Sequence, residues 1–373
     1  MRATKAIIDI NNLKRNYLNI LKKVNNKKIM AVVKADAYGH NVKFVTYALN
    51  SLGINKPEYY AVATVDEGVE LRKLKIKQPI LIFDPIDDEQ VTSLLKFNLI
   101  PSVFTKENLK LLLDTRFRLK LRGKLKVHIK VDTGMNRLGV DHDKAFNFIK
   151  ELSENDNFVI DGMFTHFATS DERNSRYAKI QIKRFDTLID VLRKNRIKTG
   201  LIHAANSGAI LDFPNAYYDM VRPGISLYGY YPSHQTSESI KLYPVMSLVS
   251  KVLSVKKIVA GESVSYGRRF FAKKETNVIS VPIGYADGFS RALTNKAKGI
   301  IKRKTYNQIG TVTMDRIMFD IGNDNIKIGD EVILLGKSRD NKIDAWDWAD
   351  KINTIPYEIT CGISKRVPRV IKK

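Results

Sequence analysis

The sequence predicts an α/β protein with an N-terminal (β/α)8 barrel of the TIM type, followed by a mainly β C-terminal domain. From Ile29 onward, eight strand-like apolar runs alternate with amphipathic helical stretches, the pattern of a (β/α)8 barrel. After about Ser239 the helical periodicity fades, and short apolar runs are separated by Gly, Asn and Asp turns. We expect an N-terminal strand at 1–12 that joins the β domain, the barrel at 13–239, and the β domain at 240–373.

The predicted strands are short and rich in branched and aromatic residues, which is typical of buried strands. Those of the barrel begin at Ile29, Tyr59, Pro79, Leu99, Lys126, Phe158, Leu201 and Tyr217. In the second domain the runs VMSLVSKVLSV, NVISVPIG, IMFDI and EVILLG indicate further strands.

The stretches between the barrel strands carry signals for the start of helices. Thr64 to Glu67 have the sequence of a capping box. Asp87, Thr105 and Asp141 are the predicted N-caps of later helices. The segment that begins at Arg176, RYAKIQIKRFDTLIDVLRKN, has its apolar residues at helical spacing.

Composition indicates an ordinary globular protein. The chain of 373 residues is 44% hydrophobic and 27% charged, and no apolar run approaches the roughly 18 residues of a membrane span. The first residues, MRATKAIIDINNLKRN, are polar where a signal peptide needs an apolar core. A single cysteine, Cys361, excludes an internal disulfide framework and a cysteine-based zinc site. We therefore expect a cytoplasmic protein with no membrane partner.

The net charge of +24 could indicate a nucleic-acid partner. However, the lysines and arginines are scattered along the whole chain, and the densest runs, GIIKRK and SKRVPRVIKK, are short and lack interleaved aromatic residues. We expect no specific nucleic-acid partner. With six histidines and no cluster at ligand spacing, we also expect no metal site.

Lys34 ends the first predicted barrel strand. If the lysine is buried there, desolvation lowers its pKa and suits it to nucleophilic chemistry, above all to a Schiff base with an aldehyde. The alternative is a lysine that reaches the strand end and extends into water. The motif by itself leaves both interpretations open.

Further polar residues follow other barrel strands at the rim where such barrels carry their active sites. The loops after the seventh and eighth strands usually bind phosphate, and a reactive lysine beside a phosphate cradle points to pyridoxal 5'-phosphate. Each residue has a plainer alternative: a structural histidine, helix caps, or an arginine paired with a carboxylate. The rim residues are Lys130, Asp132 and Arg137 after strand five, His166 after strand six, Asn206 and Ser207 after strand seven, and Arg222, Gly224 and Ile225 after strand eight.

The chain closely resembles the alanine racemases, the fold-type III pyridoxal-phosphate enzymes. The resemblance covers almost the whole chain, and its motifs occur in the order of that family. They are AVVKADAYGHN, KVDTGMNRLG, FTHFATSDE, AANSG, VRPGISLYG, VSYGRRF, VPIGYADGFSR, GTVTMDRIM and PYEITCGIS.

The resemblance implies that the chain is an isomerase that interconverts L-alanine and D-alanine by a two-base mechanism. Lys34 matches the lysine that carries pyridoxal 5'-phosphate and serves as one acid/base group. Tyr266 matches the tyrosine that acts on the opposite face and is contributed by the partner subunit of a homodimer. The D-alanine would supply cell-wall peptidoglycan, as is expected of the family in bacteria.

Other positions match residues that support this chemistry. Arg137 matches an arginine beside the tyrosine and the substrate carboxylate, and Lys130 a lysine that is carbamylated in several members and orients that arginine. Arg222 matches the arginine that faces the pyridine nitrogen, and His166 matches its partner.

The resemblance also implies a phosphate cradle and parts of the substrate pocket. Asn206 belongs to the AANSG motif and is predicted to bind the cofactor. Met314 and Asp315 match a segment that reaches the substrate pocket of the partner, where a backbone N–H receives the carboxylate, and Tyr285 matches a tyrosine at the entry to the site. The residues that match the phosphate cradle are Tyr38, Ser207, Gly224, Ile225 and Tyr357.

Two departures from the family pattern are visible. Thr311 stands where many members have an arginine, and RRF follows VSYG where smaller residues are common. We expect these departures to alter the entry region and not the chemistry.

The alternatives to an alanine racemase are a broad-specificity or other amino-acid racemase or a decarboxylase of the same fold, a non-catalytic cofactor-carrier barrel, and a nucleic-acid binder. The TMD and VSYG segments argue against a decarboxylase, and the second domain argues against a carrier.

Overall fold

The computed structural model describes residues 3–372, which form two compact units. The barrel unit comprises Lys14–Ala37 and Val45–Leu242. The β unit comprises the chain up to Leu13, the segment Tyr38–Phe44, and the chain from Tyr243 onward. Within the described range, the helices are all too short or too polar to cross a membrane.

The elements alternate between strand and helix in the first part of the chain and are mostly strands in the second. The strands are β1 (Lys5–Ile8), β2 (Lys28–Val32), β3 (Tyr59–Val62), β4 (Ile80–Ile82), β5 (Ile100–Val103), β6 (Leu125–Asp132), β7 (Val140–Asp141), β8 (Phe158–Phe164), β9 (Leu201–His203), β10 (Met220–Val221), β11 (Met246–Lys251), β12 (Ser254–Ile258), β13 (Thr276–Val281), β14 (Lys298–Ile301), β15 (Lys304–Ile309), β16 (Ile317–Gly322), β17 (Glu331–Ser338), β18 (Asn341–Ile343) and β19 (Arg369–Ile371). The helices are α1 (Ile10–Lys23), α2 (Lys34–Gly39), α3 (Val42–Asn50), α4 (Val65–Lys73), α5 (Val91–Lys96), α6 (Lys106–Arg118), α7 (Ala145–Ser153), α8 (Arg176–Lys194), α9 (Ser207–Asp212), α10 (Ala345–Ile352) and α11 (Pro356–Gly362).

Eight parallel strands close the barrel. Their order is β5-β4-β3-β2-β10-β9-β8-β6, and pairing of β5 with β6 completes the circle. The short strand β7 adds to the edge of β6. The predicted fold class, a (β/α)8 barrel followed by a mainly β domain, is confirmed.

The sheet of the β unit is mostly antiparallel, in the order β12-β13-β16-β15-β14-β17-β11-β1-β19. The first strand of the chain lies inside this sheet. It pairs antiparallel with β11, with Lys5 opposite Val249, and parallel with β19. The β unit therefore draws on both ends of the described chain.

Two of the four predicted helix starts are confirmed. Thr64 and Glu67 form the capping box of α4, and the Thr105 side chain accepts a hydrogen bond from Asn108 N at the start of α6. Asp87 and Asp141 do not cap helices. Asp87 instead accepts a hydrogen bond from Gln90 N in a turn before α5, and Asp141 lies in β7. An aspartate stabilises a turn by the same side-chain contact that caps a helix, so the residue type alone does not distinguish the two.

The eighth predicted barrel strand is much shorter than its apolar run. The run begins at Tyr217, but only Met220–Val221 pair as a strand. Pro223 has no N–H to donate to a sheet, and a 3-10 turn follows at Ile225–Tyr228.

The basic run GIIKRK forms the hairpin of β14 and β15, whose turn residues Lys302 and Arg303 both have positive φ.

The segment after β2 has left-handed backbone geometry. Ala35, Asp36, Ala37 and Tyr38 have φ between 51° and 54°, and Gly39 has φ of 79°. For residues other than glycine, this conformation costs about 1–2 kcal/mol each and is seldom adopted by several residues in a row. The turn therefore breaks the chain direction immediately after Lys34.

We predict that Ala35→Gly raises the free energy of unfolding by up to about 1 kcal/mol, because glycine adopts positive φ without steric cost. Ala35 is exposed, so its side chain contributes little packing. Equilibrium denaturation measures the change.

The matched control is the same alanine-to-glycine step in a right-handed helix, made by comparing Asp190→Ala with Asp190→Gly in α8. There the glycine should lower the free energy of unfolding by about 1 kcal/mol. A loss of stability at both positions would contradict the left-handed assignment.

Candidate active site

Arg222 lies directly after β10, and only 3% of its surface is exposed. Its Nη1 donates to His203 Nδ1 at 2.9 Å, and its Nη2 donates to Thr165 O at 2.7 Å and Ala204 O at 2.9 Å. Nη2 also lies 3.3 Å from His166 Nδ1. Its partners are neutral acceptors and not a carboxylate. Among the described residues, none accepts a hydrogen bond from Arg222 Nε.

A chain of hydrogen-bonding groups continues from Arg222 into the barrel. Because the guanidinium can only donate, His203 Nδ1 accepts, and its Nε2 donates to His128 Nδ1 at 2.9 Å. His128 Nε2 then faces Asp161 Oδ2 at 3.4 Å. Asp161 also accepts from Tyr59 and from Lys126.

The charges along this chain follow from its surroundings. Burial lowers the pKa of His203 and His166 well below the usual value, and the Arg222 cation lowers both further. Burial also lowers the pKa of His128. Burial alone would raise the pKa of Asp161, but the nearby His128 ring and hydrogen bonds from Lys126 and Tyr59 hold it below its usual value. The histidines are thus neutral between a cation and an anion.

Lys130 lies on β6 and is 6% exposed. Burial, followed by the charges of Arg137 and Arg222, lowers the pKa of Lys130 to about 8. Its Nζ lies 5.9 Å from the centroid of the Phe164 ring, and the guanidinium of Arg222 lies 5.3 Å from the same ring. Arg137 is exposed in the loop between β6 and β7. The structure thus brings Lys130 and Arg222 together around Phe164, with His166 beside Arg222.

The loops after β9 and β10 meet at Ser207. Its Oγ accepts from Gly224 N at 2.9 Å and Ser226 N at 3.3 Å, and it lies 3.0 Å from Ser226 Oγ. Asn206 caps α9, because its side-chain oxygen accepts from Ala209 N at 3.1 Å. The structure therefore gives the oxygen of Asn206 the capping role that the sequence left as an alternative.

Lys34 is exposed, which contradicts the interpretation of a lysine buried at the strand end. The reason is local: β2 ends at Val32, and Lys34 begins the left-handed α2. Ala35 N donates to Glu67 Oε1 at 2.6 Å and so ties the turn to the capping box of α4. Lys34 therefore presents its amine at the C-terminal end of the first barrel strand.

In the β unit, Tyr38 and Tyr357 lie together, with ring centroids 5.9 Å apart. Gly39 makes this arrangement possible. A Cβ on Gly39 would lie 2.2 Å from Thr360 O, and its φ of 79° favours glycine. Arg369 Nε donates to Gly39 O at 3.0 Å and holds the turn.

Tyr285 and Met314 are brought together by backbone pairing in the β unit. Tyr285 N donates to Thr313 O at 3.0 Å, and Gly284 allows the approach, because a Cβ there would lie 2.3 Å from Met314 O. Tyr285 is 44% exposed and Met314 is 51% exposed. Asp315 is paired with Arg366 at 2.6 Å. These side chains form an open surface.

Tyr266 lies at the tip of a loop in the same unit and is 75% exposed. Its backbone carbonyl accepts a hydrogen bond from Thr311 Oγ1 at 2.6 Å. Thr311 therefore contacts a predicted site residue, although Thr311 itself was not predicted to belong to the site.

Three further members of the hydrogen-bonded chain, His203, His128 and Asp161, were not predicted from the sequence. A signal was available for His203, because a histidine inside the apolar run LIHAAN must face either the barrel interior or the helix layer. Within residues 3–372, no group of three or more His, Cys, Asp or Glu side chains is arranged to hold a metal ion.

Comparison with known proteins matches both parts of the chain to the same family. The family model "Alanine racemase, N-terminal domain" matches residues 8–232, and "Alanine racemase, C-terminal domain" matches residues 245–371. The chain is 44% identical to the alanine racemase of Treponema denticola, covering 99% of this chain and 98% of that protein. It is 40% identical to alanine racemase 1 of Clostridium acetobutylicum, covering 100% of this chain and 96% of that protein.

Solved structures agree with these relatives. The alanine racemase of Clostridium difficile superposes with a TM-score of 0.93 at 37% identity, covering 99% of this chain and 96% of that one. The alanine racemase of Bacillus anthracis with bound L-Ala-P superposes with a TM-score of 0.92 at 31% identity, covering 100% of this chain and 96% of that one. The chain belongs to the alanine racemase family.

Proposed function

We propose that this protein interconverts L-alanine and D-alanine with pyridoxal 5'-phosphate bound at Lys34, and that Lys34 and Tyr266 act as acid/base groups on opposite faces of the substrate carbon. The observation that carries the proposal is buried Arg222 at the same barrel rim as Lys34. Its terminal nitrogens are engaged by the protein, and its Nε has no acceptor among the described residues.

The residues present fit the cofactor. A phosphate needs N–H and O–H donors. Gly224 N and Ser226 N both donate to Ser207 Oγ, with no carboxylate bonded to these groups in the described chain, and a phosphate oxygen would take the place of Ser207 Oγ as their acceptor. The Nε of Arg222 suits a ring nitrogen that accepts a hydrogen bond. We propose that Lys34 forms the covalent link, that Arg222 and His166 serve the ring, and that Asn206 contacts the cofactor. The residues proposed to bind the phosphate are Tyr38, Ser207, Gly224, Ile225 and Tyr357.

When bound, the cofactor withdraws electrons from the substrate Cα and so makes its proton easier to remove. Arg222 moderates this effect. Burial lowers the pKa of Arg222, but the guanidinium remains cationic at neutral pH and is far too weak an acid to transfer its proton to a pyridine nitrogen. It therefore donates a hydrogen bond to a ring nitrogen without protonating it, which keeps electron withdrawal weak and disfavours transamination.

The two proposed bases differ in how they reach their active form. Lys34 has a flexible stem and an exposed amine that can take and return a proton. A free phenol has a pKa near 10, so Tyr266 needs a neighbouring cation to act as a base. We propose that Arg137 supplies this charge and also pairs with the substrate carboxylate, to which the backbone N–H of Met314 donates.

We propose that the active form is a homodimer in which Tyr266, Met314 and Asp315 complete the site of the partner, and that Tyr285 lies at the entry to the site. The exposure of Tyr266, Met314 and Tyr285 supports this, because large side chains that are this open on one chain often lie at an interface. We further propose a cytoplasmic location and the supply of D-alanine to peptidoglycan. A chain with a single cysteine, which is exposed, suits a reducing compartment.

The assay that tests the proposal is incubation of the protein, loaded with pyridoxal 5'-phosphate, with L-alanine and chiral detection of D-alanine. Reduction with borohydride should fix a pyridoxyl group on Lys34, and Lys34→Ala should abolish both the label and the activity. Serine and basic amino acids in parallel reactions measure specificity. Label on another lysine, or racemisation of those amino acids but not of alanine, would overturn the proposal.

Lys130 should form a carbamate with dissolved CO2. With its pKa lowered to about 8, a large share of its amine is neutral near that pH, and only the neutral amine reacts. At fixed 13C-bicarbonate, the NMR signal of the carbamate should rise with pH, reach half of its maximum at a pH of about 8, and level off above that.

The matched control for this experiment is Lys126, which lies on the same strand but is exposed and paired with Asp161. Lys126→Ala should keep the carbamate signal, and Lys130→Ala should remove it. A signal that survives Lys130→Ala would show that the carbamate forms elsewhere.

A further inference from the structure

The loop that carries Tyr266 has a backbone conformation that its residues rarely adopt. Ser265 has φ of 67° and ψ of −177°, a region almost confined to glycine. Gly267 and Arg268 on the other side of the tyrosine also have positive φ. Such conformations persist only where surrounding contacts enforce them, and they concentrate at functional sites.

Thr311 supplies those contacts from a neighbouring segment. Ser265 Oγ donates to Thr311 O at 2.7 Å, and Thr311 Oγ1 donates to Tyr266 O at 2.6 Å. Thr311 is only 2% exposed, whereas Tyr266 is 75% exposed. Because the tyrosine ring has little packing of its own, the backbone that Thr311 holds sets the point and the direction from which the side chain leaves the loop.

The segment around Thr311 is itself fixed. Gly310 N donates to Asn295 Oδ1 at 2.7 Å, and Gln308 Nε2 donates to Gly310 O at 2.7 Å. Gly310 has φ of 69°, and a Cβ on it would lie 2.7 Å from Val264 O. The glycine therefore lets the two segments meet closely, and Thr311 is a rigid anchor for the loop.

We propose that Thr311 is a positioning residue. The hydrogen bond from its hydroxyl to the backbone of Tyr266 fixes this tyrosine for proton transfer. This rests on the proposed function, in which Tyr266 is a base. The sequence departs here from the many relatives that have an arginine, and the departure was expected to alter only the entry region. The hydrogen bonds instead connect Thr311 to the backbone of the proposed base.

Three variants separate positioning from general stability. Thr311→Val removes the hydroxyl at nearly constant volume, and Thr311→Ser keeps it. The matched control is Thr4→Val, because Thr4 is also buried in the β unit and its hydroxyl donates to Pro282 O at 2.6 Å. Each variant is studied as the full-length protein loaded with cofactor, with its melting temperature recorded.

The first measurement is deuterium uptake at the α-carbon of D-alanine in D2O, compared with racemisation. Lys34 would take the α-proton, and because its ammonium carries three exchangeable hydrogens, it can return deuterium to the same face without inversion. Inversion also needs Tyr266 to deliver a proton from the other face. Thr311→Val should therefore lower the rate of racemisation about tenfold to a hundredfold, the loss expected when a catalytic group is displaced by a fraction of an ångström to about 1 Å. Deuterium uptake with retention of configuration should continue at the wild-type rate.

The second measurement does not depend on activity. Amide hydrogen exchange at residues 263–271 should be faster in Thr311→Val than in the wild type, because the loop has lost its anchor. Thr311→Ser should restore both the slow exchange and racemisation. Thr4→Val should lower the melting temperature without changing either the exchange of this loop or the ratio of deuterium uptake to racemisation.

The outcomes are distinguishable. If the wild type does not racemise alanine, the proposed function fails, and unchanged exchange of the loop in Thr311→Val would separately overturn the anchoring role. If the wild type is active but Thr311→Val loses uptake and racemisation equally, or Thr311→Ser behaves like Thr311→Val, the positioning role is wrong.

Discussion

A buried guanidinium without a carboxylate beside it organises the interior of the barrel. A charge removed from water is tolerated only where hydrogen bonds replace its hydration. For Arg222 they come from two backbone carbonyls and two neutral histidines. The direction of these bonds fixes the tautomer of His203 and, through it, that of His128, and the chain ends at the anion Asp161. The position of Arg222 at the rim thus depends on residues that lie well below it.

The fold provides the place for this arrangement. The eight strands bring His128, His203 and Arg222 to one interior from separate parts of the sequence. Phe164 stacks on His203 with ring centroids 4.9 Å apart and also faces Arg222 and Lys130. Because burial removes these groups from water and Arg222 adds a nearby positive charge, Lys130 has a lowered pKa and the histidines remain neutral. Packing and electrostatics therefore support the same geometry.

The sequence was sufficient for the architecture and for the residues that carry recognisable motifs. The alternation of strands and helices predicted the barrel because the pattern is repeated over a long stretch. An error in the position of one strand or helix therefore does not change the predicted fold. Local backbone geometry could not be predicted from the sequence. The left-handed turn of α2, which exposes Lys34, consists largely of alanines and an aspartate, and these residue types do not indicate such a turn. Thr311 was recognised as a departure, but its hydrogen bond to Tyr266 O joins residues that are 45 positions apart. Contacts between distant residues of ordinary type leave no pattern in a single sequence.

The central claim is that Lys34 of one subunit and Tyr266 of the other act on the same substrate carbon. The most direct measurement mixes Lys34→Ala and Tyr266→Ala chains, each inactive alone, and allows subunits to exchange. One site of each heterodimer then has both residues and the other has neither, so about half of the wild-type activity per heterodimer should return. No recovery after confirmed exchange of subunits would contradict the claim and show that each chain builds its own site.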